Sequence, residues 1–209
     1  ARLIKNAGFR NKATLEELEV DTVRGIPAAK AAELGTCEYI EQGMTIIITG
    51  PAGTGKSYFA QALGERACRL NYKTMYFTMN KLAEALKLAR LEGREVNFFK
   101  KLANQDLLII DDLGVERNSE FALEQVYAVI DERYKANLPL IITTNLTPRQ
   151  MRSVQDVAHA RIYSRVLEMC TPILLQGADR RKSISNGKRV LAKQILFPQK
   201  EVQPNGKTE

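Results

Sequence analysis

One octet limits what this chain can fold into more than any other stretch. Gly50-Pro51-Ala52-Gly53-Thr54-Gly55-Lys56-Ser57 reads G-x-x-x-x-G-K-S and directly follows the apolar run Met44-Thr45-Ile46-Ile47-Ile48-Thr49. The run is β-branched and strand-like, and Tyr58-Phe59-Ala60-Gln61-Ala62-Leu63 then opens a helical apolar period. A strand, a glycine-rich turn and a helix in that order make a phosphate cradle. The glycines let the backbone wrap an anion with its N–H groups pointing inward, and the helix N-terminus adds the positive end of its dipole. Lys56 is expected to reach the β- and γ-phosphates, and the Ser57 hydroxyl to ligate Mg²⁺. Gly50, Pro51, Ala52, Gly53, Thr54, Gly55 and Tyr58 complete the lining. The pattern implies a nucleoside triphosphate, bound with Mg²⁺.

The rest of the chain sets bounds on that reading. At 209 residues one α/β domain with a proper core is expected. No apolar run approaches the ~18 residues needed to cross a bilayer, and no secretory signal precedes the first helix, which points to the cytoplasm. Cys37, Cys68 and Cys170 are odd in number and far apart, as reduced thiols would be. His159 is the only histidine and has no ligand-spaced partner, which argues against zinc chemistry. The net charge of +7 is concentrated at the end: Ala178 to Glu209 carries eight Lys/Arg against three acids, a net of +5. Such a tail suits a polyanion, although on charge alone a solvated tail is the plainer reading.

Hydrophobic periodicity predicts strands at 44–49, 74–78, 107–110, 139–144 and 172–175. Helices are expected from 27 to about 41, from the loop to about 70, around 82–88, and at 119–136, 147–152 and 156–169. Residues 1–26 read as polar with a few apolar anchors, and 97–101 as a looser basic and aromatic stretch. Leu107-Leu108-Ile109-Ile110 is apolar throughout, as in a strand covered on both faces. Alternating β and α segments predict a P-loop α/β fold: a parallel five-stranded sheet with helices on both faces. The expected division is a lead-in and helix over 1–43, an ATPase core over 44–182 and a basic tail over 183–209.

Four further groups bear on chemistry. Asp111-Asp112 follows the 107–110 strand and so arrives at the carboxyl edge of the sheet, beside the phosphate loop. Asp111 is placed to hold Mg²⁺, and Asp112 to orient or deprotonate an attacking water. Thr143-Thr144-Asn145 ends the next strand, where Asn145 can bond a γ-phosphate or simply begin the turn before Pro148. Arg161 and Arg165 share a helical face, as a finger for a neighbour's nucleotide or as a solvated basic stripe. In Asn97-Phe98-Phe99-Lys100-Lys101, the rings could stack bases beside the lysines, or pack into the core.

In this order, Gly50 to Ser57, Leu107 to Gly114, Thr143-Thr144-Asn145-Leu146 and Ala160-Arg161-Ile162-Tyr163-Ser164-Arg165 resemble the AAA+ motor of DnaC/DnaI-type replicative helicase loaders. They are similar also to IstB, the ATPase helper of a transposition system. Residues 2–18, with Ala7-Gly8-Phe9 and Thr14-Leu15-Glu16, resemble the lead-in that both place before the motor. The resemblance covers about 2–182. It implies Lys56 and Ser57 for phosphate and metal, Asp111 for metal, Asp112 for water activation and Asn145 as γ-phosphate sensor. It also implies Arg165 as arginine finger with Arg161 as the alternative, and Arg180 or Arg181 as a second sensor. A finger acting across subunits implies a homo-oligomer, and single-stranded DNA is expected to pass near Phe98, Phe99, Lys100 and Lys101. Many AAA+ proteins carry Glu where this chain has Asp112, and the shorter carboxylate suits a slow switch. Loaders usually carry a helicase-binding region before the motor, and this sequence opens on the lead-in.

The expected function is therefore a slow, DNA- or partner-stimulated ATPase that places a replicative helicase on single-stranded DNA. The alternative is an IstB-type helper whose partner is a transposase. A small P-loop metabolite kinase also fits the length, but residues 74–106 offer mostly Leu, Ala and Lys where such kinases need a substrate acid and an arginine-rich lid. A nucleotide-binding scaffold without turnover is the fourth reading.

Overall fold

The computed structural model describes residues 1–18, 26–114 and 120–177. Five strands form one parallel sheet in the order β2-β3-β4-β1-β5: β1 (Thr45–Thr49), β2 (Thr74–Thr78), β3 (Leu107–Leu113), β4 (Leu140–Thr144) and β5 (Cys170–Leu174). Side-chain alternation along the strands fills two cores. Ile46, Ile48, Tyr76, Leu107, Ile109 and Ile141 pack one face under α1 (Arg2–Ala7), α2 (Ala28–Gly35) and α4 (Lys56–Arg69). Ile47, Met75, Leu108, Ile110, Leu140 and Ile142 pack the other, under α5 (Met79–Leu91), α7 (Glu120–Lys135) and α9 (Val157–Met169). The parallel sheet expected from the alternating pattern is present, in the AAA+ P-loop arrangement that the resemblance implies. No described helix is long and apolar enough to cross a membrane.

The helix expected from 27 to about 41 is two pieces, because Cys37 takes a left-handed conformation (φ 63°) between α2 and α3 (Glu38–Glu41). Two further helices appear where none was expected. One is α1, which ends on Gly8 in the left-handed conformation. The other is α6 (Glu95–Ala103), where the stretch around 97–101 had read as looser. Its start is set by Gly93 (φ 67°), which ends α5 with paired bonds from Gly93 N to Arg90 O and Arg94 N to Ala89 O. Arg133, 2% exposed, then ties α6 to the sheet by donating to the carbonyls of Leu102, Gln105 and Pro139. β5 starts two residues earlier than its apolar run suggests.

The lead-in shares the core of the sheet. Phe9 lies against α4 at Gly64, where an added Cβ would meet the ring at 2.9 Å. Gln61 of α4, 1% exposed, accepts from the backbone N–H groups of Arg10 and Asn11 at 2.8 and 3.0 Å.

Candidate functional site

The phosphate loop leaves β1 at Gly50 and enters α4 at Gly55. Gly50, Gly53 and Gly55 all have positive φ (148°, 80° and 96°), the region where side chains are strained. At Gly50 the requirement is also spatial, since a Cβ would sit 2.1 Å from the Leu175 carbonyl oxygen. Leu175 N in turn bonds Thr49 O at 2.8 Å, so the exit of β5 fixes the start of the loop. Thr54 Oγ1 donates to Pro51 O at 2.9 Å and stiffens the bend. No side chain caps the N-terminus of α4, which leaves its first N–H groups and dipole for an anion. Lys56 is 5% exposed and its Nζ donates to Pro51 O at 2.8 Å, across the mouth of the loop. Pro51 and Ala52 are exposed, and Ser57 and Tyr58 half-buried. Tyr58 Oη reaches Glu17 of the lead-in at 3.3 Å.

The acids stand beside it on β3, which runs three residues past its apolar core. Ile110 is opposite Ile142 and Leu113 opposite Thr144, so Asp111 and Asp112 together face Thr143. This is a β-bulge, a device that re-aims side chains and is rare between parallel strands. Asp112 takes φ 62°, a left-handed conformation that Asp tolerates better than most residues. Thr143 Oγ1 holds both ends of the bulge: it accepts from Asp112 N at 2.9 Å and donates to Asp111 Oδ1 at 2.5 Å. Asp111, 1% exposed, also accepts from Tyr76 Oη at 2.6 Å. Burial, and then the bond to Asp111, push the Tyr76 hydroxyl far above the ordinary tyrosine range, so it remains a donor. Tyr76 was missed in the sequence because its contact depends on β2 lying next to β3. Asn145 is exposed, one residue beyond Thr144, which pairs with Thr49 at the end of β1.

The donor set fits Mg²⁺. Ser57 offers a hydroxyl and Asp111 a carboxylate, hard oxygens of the kind Mg²⁺ takes along with phosphates and waters. Among the described residues no cluster of three or more His, Cys, Asp or Glu could hold a metal alone.

The remaining expected residues are placed elsewhere. Arg165 lies across Tyr134 of α7 (4.4 Å to the ring centroid), paired with Asp131 at 2.9 Å and with Glu168 at 2.8 Å. Arg161 is exposed and stacks on Tyr127 at 4.6 Å. Both line a shallow surface recess of about 420 Å³ with Gln155, Val157 and Ser164. Phe98 turns its ring against Phe77 (centroids 6.3 Å apart, interplanar angle 78°), and Phe99 packs half-buried between α6 and α7. A base on Phe98 would have to displace that packing; Lys100 and Lys101 are exposed. Arg180, Arg181 and the basic tail lie outside the described residues.

Comparison with known proteins identifies the family. The model of the family described as IstB-like ATP binding protein matches residues 1–186. An IS1162 insertion-sequence ATP-binding protein of Pseudomonas fluorescens is 36% identical over 133 residues, 63% of this chain and 58% of the relative. The insertion-sequence ATP-binding protein y4pL of Sinorhizobium fredii is 33% identical over 146 residues, 70% of this chain and 59% of the relative. The chain thus spans a little under three fifths of these two relatives. Among solved structures, the replication initiator DnaA bound to AMPPCP and single-stranded DNA superposes with a TM-score of 0.67 at 25% identity, over 93% of this chain and 59% of that one. The DnaC helicase loader gives 0.60 at 24%, over 84% of this chain and 100% of that one, a likeness of fold. With a strand-loop-helix phosphate cradle and a family match over most of its length, the chain belongs to the IstB-like ATP-binding proteins.

Proposed function

We propose that the chain is an ATP-switched, DNA-handling ATPase that assists a transposase in an insertion-sequence system. The observation that carries this reading is the gathering of Lys56, Asp111, Asp112 and Asn145 at one sheet edge in an IstB-like chain. The insertion-sequence names of its relatives support the transposition side. In this reading the loop and Lys56 hold the β- and γ-phosphates of ATP. Mg²⁺, held by Ser57 and Asp111, would neutralise charge on the phosphates. Asp112 orients the attacking water and Asn145 touches the γ-phosphate. Arg165, or Arg161 beside it, serves the nucleotide of a neighbouring copy, and Arg180 or Arg181 that of its own. Turnover then needs a homo-oligomer, and with Asp112 in place of a longer carboxylate it is slow.

A second reading, a loader that places a replicative helicase on single-stranded DNA, is supported by the likeness to the DnaC loader and to DnaA solved with single-stranded DNA. Pull-downs against a transposase and against a replicative helicase, run with ATPase assays on duplex and single-stranded DNA, separate the two. Transposase capture with duplex stimulation supports the first. Helicase capture with single-strand stimulation replaces it by the second. Indifference to DNA together with phosphate transfer to a metabolite would sink both.

A further inference from the structure

Asp111 is gripped by two hydroxyls from two different strands, one on each carboxylate oxygen: Thr143 of β4 on Oδ1 and Tyr76 of β2 on Oδ2. Hydroxyl bonds to an ionised carboxylate are among the stronger hydrogen bonds in proteins, and each oxygen keeps a second lone pair. The two bonds therefore fix the plane of the group without exhausting it as an acceptor. Tyr76 is itself held: it is 4% exposed, and its ring lies 6.1 Å from that of Phe9 at 56°. Phe9 in turn fits α4 only because position 64 is glycine. A core that needed only an aromatic filler at 76 would be served by phenylalanine; among the described residues the hydroxyl bonds the one carboxylate expected to serve the cation.

We propose that Tyr76 is a positioning residue for the nucleotide's divalent cation, its hydroxyl holding the Asp111 carboxylate in the orientation in which it would serve Mg²⁺ together with Ser57. The inference rests on the reading that Asp111 and Ser57 share that ion. Removing a group that orients a metal ligand typically weakens metal affinity 10- to 100-fold, while nucleotide contacts that do not involve the metal are spared.

The test is a titration of a fluorescent ATP analogue, in EDTA and over a range of Mg²⁺, on wild type, Tyr76→Phe and Asp111→Asn. Tyr76→Phe is expected to keep its EDTA affinity within about twofold and to raise half-saturating Mg²⁺ by about tenfold. Asp111→Asn should move the same quantity further. A tyrosine that merely fills space would shift both conditions together or neither, and either result overturns the proposal. If Asp111→Asn leaves the Mg²⁺ dependence untouched, the metal role of Asp111 falls and the proposal with it. If only Tyr76→Phe is silent, the proposal falls alone. Circular dichroism verifies folding. Should Tyr76→Phe not fold, Phe9→Leu, which loosens the Tyr76 ring and keeps its hydroxyl, is titrated with the same two criteria.

Discussion

Lys56 and Arg165 are the two cations on which the proposed chemistry most depends, and the chain holds them in opposite ways. Lys56 sits at the mouth of its own loop, 5% exposed, with its ammonium on a carbonyl of that loop. A neutral carbonyl is a weaker partner for an ammonium than a phosphate oxygen is. Arg165 lies 22% exposed on α9, paired with Asp131 and Glu168 and with its guanidinium carbon over the Tyr134 ring. Its acids are full charges, so leaving them for a nucleotide is a contest. On the proposed reading, the phosphate half of the site is held open within one chain, whereas the finger half is engaged by its own acids. That difference would separate binding, which one copy could do, from turnover, which would need a neighbour.

The strongest way to break the comparison is Arg165→Ala. Arginine fingers contribute about 10³-fold or more to turnover, so the variant should lose ATPase activity on that order while binding ATP like wild type. Mixed with Asp112→Asn protein it should regain part of the activity, because each copy supplies what the other lacks. Full activity in Arg165→Ala together with loss in Arg161→Ala would transfer the role to Arg161. Next comes Lys56→Ala. It removes charge-assisted bonds of about 1.5–3 kcal/mol each and should weaken ATP binding on the order of 100-fold in a fluorescence titration. Near-native affinity would end the nucleotide argument altogether.

Gly50→Ala tests whether the readiness of the loop is built into the fold. The new Cβ meets the Leu175 carbonyl at 2.1 Å, on a backbone of φ 148°. Strain and overpacking together should cost about 2–5 kcal/mol, with a melting point lower by about 10 °C for a chain of this size. An unchanged melting point would mean that the β5 exit gives way easily and that the loop is shaped by its ligand.

The same contrast explains what the sequence revealed. The loop, β1 and β2 were legible because each is a local pattern: glycines at fixed offsets, an unbroken apolar run, a helical period after it. The bulge was not, because it arises from the register between β3 and β4, whose Asp112 and Thr143 are 31 positions apart in sequence, and shows in the chain only as two adjacent aspartates. Tyr76 was hidden for the same reason; as one aromatic in a strand it gives no hint that its neighbour is Asp111. The helix α6 had a local signal in Gly93, but the paired phenylalanines and lysines masked its period. Asp131 gives no signal of its own in the sequence, and only the packing of α7 on α9 makes it the partner of Arg165.

Asp131→Asn gives the smallest expected effect and the sharpest test of whether Arg165 is restrained. Bonding by Lys135, followed by the charges of Lys135 and Arg165, holds the Asp131 carboxyl below the ordinary carboxylate range. A lowered pKa in the folded state means that the contribution to stability is fully present above about pH 4 and is lost only as pH falls through the lowered value. Between about pH 5 and 8 the difference in melting point from wild type should therefore be constant, and it should shrink on acidification below about pH 4. The pairs are partly exposed, so that difference corresponds to about 1 kcal/mol or less. Turnover should respond in the other direction: with one acid fewer to leave, Arg165 reaches a neighbour's nucleotide more readily, and the ATPase rate per chain should rise by about two- to fivefold at equal concentration. A fall in rate would mean that Asp131 aims the guanidinium at the neighbour, and the contact with α7 would then be part of the working geometry.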